Sequence, residues 1–165
     1  MNSMHMVQEI LPNLYRIEIP LPGSPLKGLN CYVIKGAERN LIVDTGWNRK
    51  ECMDAMLAGL KKIDVALEKS DFFITHLHVD HIGLVSSLIT DGTKVFFNRQ
   101  EAANLEAGIP YRPSTEYGLV NGFPEKDIQA LLHNHPAGKY GAKKPLTFTF
   151  LKHEDTICAG DFEFK

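Results

Sequence analysis

Cysteine is scarce in this chain and follows no pairing pattern: Cys31, Cys52 and Cys158 are three in 165 residues, with no CxxC spacing. That argues against a disulfide framework or a cysteine-built zinc ribbon, and their mostly apolar neighbours predict reduced, buried thiols in a cytoplasmic protein. Long apolar runs are also missing. None nears the roughly 20 residues that span a bilayer, and no charged stretch leads into an apolar one as in a signal peptide. Excess charge is absent too, with 18 Lys and Arg against 20 Asp and Glu, net charge -2 and pI near 6.4. Nucleic acid and anionic membranes are therefore not expected as partners. No internal repeat or low-complexity tract occurs. A hydrophobic content of 44% in 165 residues suffices for one domain with a core.

The pattern along the chain is that of an α/β layered fold. Residues 1–6 read as a leader, so His5 is set aside and a single domain is expected over 7–165. Tyr15, Ile17 and Ile19 alternate with Arg16 and Glu18, predicting a strand with one wet face before the loop imposed by Pro20, Pro22, Gly23 and Pro25. Residues 31–34 and 41–43 are apolar throughout and read as a hairpin covered on both faces. Asn48 with Glu51 fits a capping box for a helix carrying Cys52, Met53, Met56, Leu57, Leu60 and Ile63. A short apolar helix is expected over 82–89, a strand over 95–97, and a second capping box, Asn98 with Glu101, for a helix to about Glu106. Prolines then punctuate 108–145, an insertion with one helix from Glu125, read as a lid or a disordered link. Tyr111, Tyr117, Phe123 and Tyr140 either line a pocket or anchor this excursion. Alternation at Leu146, Phe148, Phe150 and at Phe162, Phe164 predicts two strands joined through a turn at 153–156.

The chemistry concentrates in Asp71-Phe72-Phe73-Ile74-Thr75-His76-Leu77-His78-Val79-Asp80-His81-Ile82-Gly83. An apolar strand there delivers a polar cluster at its carboxyl end, where open α/β sheets place their sites. If 75–78 stays extended, His76 and His78 point to the same side, and Asp80 and His81 approach from the turn that starts the next helix. Imidazole suits zinc, iron or nickel, and a carboxylate adds a hard, charged oxygen. Ordinary surface or core histidines are the plain alternative. With 7 His in the chain, chance gives this arrangement in about one chain in a thousand, so His76, His78, Asp80 and His81 are read as metal ligands. His133 and His135 sit at a proline-terminated helix end, where His is favourable without metal, and His153 reads as a turn residue.

Thr75-His76-Leu77-His78-Val79-Asp80-His81 resembles the HxHxDH signature of the metallo-β-lactamase superfamily, in the form seen in glyoxalase II-like hydrolases. Leu41-Ile42-Val43-Asp44-Thr45-Gly46 resembles that family's other early landmark, a strand ending in Asp-Thr-Gly. The resemblance implies an αββα sandwich of which this chain is an incomplete, N-terminal part, since the family's later ligands would lie beyond Lys165. It implies two zinc ions in the complete enzyme, with Asp80 also orienting the nucleophilic water and Asp44 supporting the ligands from behind. The reaction implied is hydrolysis of a small ester, thioester or lactam-type substrate. Alternatives are an iron-dependent oxidoreductase on the same scaffold and an inactive fragment or binding module. The 165-residue chain alone is expected to bind metal weakly, turn over little and associate through an exposed sheet edge.

Overall fold

The computed structural model describes residues 7–107, 112–134, 136–142, 144–160 and 162–165. Seven strands form one sheet in sequence order: β1 (Val7–Leu11), β2 (Leu14–Pro20), β3 (Gly28–Ile34), β4 (Asn40–Val43), β5 (Ser70–Phe73), β6 (Val95–Asn98) and β7 (Thr149–Leu151). The first four form an antiparallel meander, whereas β4 to β7 run parallel, with Val43 beside Phe73, Phe73 beside Phe96 and Phe96 beside Thr149. Parallel neighbours need crossovers. These are α1 (Lys50–Lys62), then α2 (Val79–Ile82) with α3 (Val85–Leu88), then α4 (Arg99–Ala107), α5 (Arg112–Val120), α6 (Glu125–Asn134) and α7 (Pro136–Tyr140). A separate ribbon pairs β8 (Ile157–Ala159) with β9 (Phe162–Phe164).

Each face of the sheet has its own core. On one, Ile17, Ile19, Val33, Ile42 and Phe72 meet Cys52, Ala55, Met56 and Leu60 of α1 and Leu84, Val85 and Leu88 around α3. On the other, Ile34 and Leu41 pack on Ile157 and Ala159 of the ribbon. Adjacent Leu41 and Ile42 serve opposite cores because strand side chains alternate, which is why this strand reads as apolar without a break.

Several expectations change. β1 pairs with β2 but is mostly exposed, so it leaves no apolar alternation to read. The helix expected over 82–89 is split at Gly83 and Leu84. No Asn48 cap forms on α1: Arg49 holds the cap position, and Asn48 gives its backbone N–H to Tyr140 O (2.9 Å) and its side-chain amide to Gly141 O (3.4 Å). The strands carrying Phe150 and Phe162 are not joined to each other; β7 extends the parallel sheet and β9 pairs with β8.

The excursion is largely helical, not a structureless link. The α5 helix was hidden by Pro113, which a first helical turn tolerates. Tyr117 and Phe123 are exposed, and Tyr111 lies outside the described residues. Tyr140 is an anchor, stacked on Trp47 with ring centroids 5.1 Å apart and covered by the Arg49 guanidinium at 5.1 Å. No helix among the described residues is long and apolar enough to cross a membrane.

Candidate metal centre

The carboxyl ends of β4 and β5 release two loops, and that of β6 the start of α4, at the same end of the sheet, as expected for parallel strands. The β4 loop begins with Asp44, buried, with φ of 59°, a conformation that Asp adopts more readily than most residues. Gly46 follows with φ of 113°, and a Cβ there would lie 2.7 Å from Ile19 Cγ2, so this turn requires glycine. Thr45 locks the loop onto the neighbouring one, its N–H and hydroxyl both donating to His81 O at 2.9 and 2.8 Å. Gly83 lets the backbones crowd: a Cβ there would meet Val79 O, Tyr140 O and Gly46 O within 2.8 Å.

The β5 loop carries the histidines. It does not stay extended, because β5 ends at Phe73 and the chain bends at His76 and Leu77 before α2. His76 and His78 are nonetheless brought together, by the bend rather than by strand alternation. Their ring centroids are 4.6 Å apart, and His76 lies 3.9 Å from His81. Asp80 Oδ2 is 3.6 Å from His81 Nε2. The structure thus gathers His76, His78, Asp80 and His81, with Asp44 behind them.

Hydrogen bonding sets the protons. Asp44 accepts from Thr75 N at 2.9 Å, Thr75 Oγ1 at 2.8 Å and His81 Nδ1 at 2.7 Å. A hydroxyl has one proton, so Thr75 Oγ1, donating to Asp44, must accept from His76 Nδ1 at 3.0 Å. In their neutral forms His76 and His81 therefore carry the proton on Nδ1 and leave Nε2 unprotonated. The His76 Nε2 lone pair is taken up by His78 Nδ1 at 3.1 Å. Burial, aided by His81 and His78, lowers the His76 pKa below its usual 6.5, favouring the neutral ring. Burial also opposes charge on His81, but its bond to Asp44 and the charges of Asp44 and Asp80 outweigh this and raise its pKa.

Among the described residues, no three or more His, Cys, Asp or Glu side chains are already arranged to hold a metal ion. By donor chemistry the residues fit a divalent ion: imidazoles with carboxylate-fixed tautomers and a neighbouring carboxylate are the usual ligand set of zinc and of iron. His133 lies exposed in the last turn of α6, and His153 lies exposed in the turn after β7, as its turn reading expects; His135 and His5 lie outside the described residues. Cys31 and Cys52 are free and buried as expected, but Cys158 is exposed because alternation turns it outward between buried Ile157 and Ala159.

Two contributors escaped the sequence reading. Thr75 was visible beside His76, but its role as a relay depends on Asp44, 31 residues away. Glu101 was assigned to a capping box. Asn98 does cap α4, accepting from Gln100 N at 2.8 Å and Glu101 N at 3.2 Å, but Glu101 reaches out and accepts Leu77 N–H at 2.7 Å. The one available signal was position, since Glu101 follows a parallel strand at its carboxyl end.

Comparison with known proteins gives one family. The profile of the metallo-beta-lactamase superfamily matches residues 26–149. An atrochrysone carboxyl ACP thioesterase of Aspergillus novofumigatus is 34% identical over 90 residues, 54% of this chain and 27% of that protein. A lactamase-like protein of Pestalotiopsis fici is 34% identical over 84 residues, 50% of this chain and 26% of that one. Among solved structures, a metallo-beta-lactamase family protein of Thermus thermophilus superposes with TM-score 0.74 at 22% identity, covering 94% of this chain and 51% of the other. A beta-lactamase domain protein of Burkholderia ambifaria gives 0.75 at 16%, covering 99% and 49%. The chain spans about a quarter of these curated relatives and about half of these structures. With the family profile covering most of its length and the fold shared, the chain belongs to the metallo-beta-lactamase superfamily.

Proposed function

We propose that this chain carries part of the metal site of a metal-dependent hydrolase acting on a small ester or thioester. The observation that carries the reading is the relay Asp44–Thr75–His76 with the branch Asp44–His81, which fixes two imidazoles with Nε2 free of protons. His76, His78, His81 and Asp80 would hold the metal, zinc in this reading. A bound divalent ion supplies Lewis acidity that makes water a nucleophile at neutral pH, with water pKa near about 7 in zinc sites. Asp80, intermediate in exposure, is placed to accept a hydrogen bond from that water and orient it. Asp44 holds the His81 tautomer. The thioesterase names of relatives favour thioesters over lactams. A small-molecule substrate, with no nucleic-acid or membrane partner, is part of this reading, and the near-neutral charge, which offers no basic field for polyanions, supports it.

The test is metal content by mass spectrometry on the purified chain and on the His76→Ala/His78→Ala variant. Zinc bound to the first and lost from the second supports the reading; iron with redox-dependent colour would replace hydrolysis by redox chemistry, and no metal on either would show that this chain does not hold the ion by itself, moving the test to a longer protein. Uptake should fall with acidification as protons compete for the imidazoles. In a protein that hydrolyses a thioester, Asp80→Ala should lower kcat by 10²-fold or more, in line with loss of general acid–base assistance; unchanged kcat would take Asp80 out of the mechanism.

A further inference from the structure

We infer that Glu101 is a positioning residue for His76 and His78. The histidine loop is gripped at alternate backbone amides by two carboxylates from different elements. Asp44 Oδ1, from the end of β4, accepts Thr75 N–H at 2.9 Å, and Glu101 Oε2, from the first turn of α4, accepts Leu77 N–H at 2.7 Å. These amides lie on either side of His76, so the peptide planes before Thr75 and between His76 and Leu77 are fixed, with His76 held between them and His78 one residue beyond. The bend at His76 and Leu77 has no strand partner to hold it, since β5 ends at Phe73. The Leu77 side chain packs against the main core, and its amide bond completes a two-point attachment. Glu101 is itself held: Asn98 caps its backbone N–H, and its neighbour Ala102 is buried. A carboxylate on a braced helical turn therefore transmits the position of α4 to the loop. The 2.7 Å distance is that of a strong, charge-assisted bond.

This inference deepens the metal-site reading and rests on it for its consequence, not for its geometry. It is tested with Glu101→Ala and Glu101→Gln, the latter keeping an acceptor at the same reach. Two readouts need no metal: hydrogen exchange of the Leu77 amide, and the side-chain nitrogen shifts of His76 by NMR. The third is zinc affinity, titrated with the metal alone. The expected result for Glu101→Ala is a folded protein whose Leu77 amide exchanges at least tenfold faster, whose His76 resonances shift, and whose zinc affinity falls about 10- to 100-fold, the range for groups that orient ligands. Glu101→Gln should recover most of each. Unchanged Leu77 exchange or unmoved His76 signals in Glu101→Ala would overturn the inference, as would undiminished zinc affinity. If Glu101→Ala does not fold, Glu101→Gln decides: His76 shifts that move in step with any change in Leu77 exchange support the positioning role, and a freed Leu77 amide with unmoved His76 signals overturns it. Failure of the wild-type chain to take up zinc would bear on the metal reading alone, with the amide and ring readouts still deciding the role of Glu101.

Discussion

Asp44 shows how much one side chain carries here. It is buried, takes a positive φ, and satisfies three donors from two residues. Asp44→Ala would leave the Thr75 amide and His81 Nδ1 unpaired and put alanine in a left-handed conformation. The loss should be about 2–4 kcal/mol in urea unfolding, while Asp44→Asn, which tolerates that backbone, should lose about 1–2 kcal/mol. Equal losses would mean that backbone strain and acceptor count do not govern this position. Gly46→Ala combines a positive φ with a clash against Ile19 and should cost about 2–4 kcal/mol by the same measurement. At this scale the residue types of the cluster were legible, because imidazoles and carboxylates at fixed spacing announce their chemistry. Thr75 and Glu101 were not, because their roles depend on bonds to residues 31 and 24 positions away.

The elements were legible where burial repeats with a period and obscure where it does not. Ile17 and Ile19 disclosed β2, and the stripe from Cys52 to Leu60 disclosed α1. β1 and α5 were missed because one is exposed along most of its length and the other begins over a proline. Capping was half legible: Asn98 caps α4, whereas Asn48 was recruited by the α7 segment instead. That recruitment yields a prediction. The Tyr140 ring, stacked on Trp47 and under Arg49, should contribute about 1–2 kcal/mol to holding the excursion down. Tyr140→Ala should therefore raise the rate of limited proteolysis within 112–142 roughly tenfold under native conditions, with little change in global melting. Cleavage at the wild-type rate would show that the backbone bonds of Asn48 suffice as the anchor.

At the scale of the molecule, two cores on one sheet hold the fold together, and the thiols report on them. Cys31 and Cys52 are buried in the larger core, with burial raising both thiol pKa values, whereas Cys158 is exposed. A thiol reagent should modify Cys158 quickly in the native state and Cys31 and Cys52 only as fast as the chain unfolds. Rapid native labelling of Cys31 or Cys52 would contradict the described packing. The parallel half of the sheet was foreseeable from alternating strand and helix patterns, but the ribbon was not, since three-residue strands carry too little pattern to assign partners. Every group placed in the centre lies between Asp44 and Glu101, on consecutive parallel strands and the loops that leave them. A ribosome adding about 5–20 residues per second delivers that stretch within seconds, ahead of the helical excursion, β7 and the ribbon. The loops that carry the histidine cluster are thus made together, and the segments that later pack around them arrive after those loops have been synthesised.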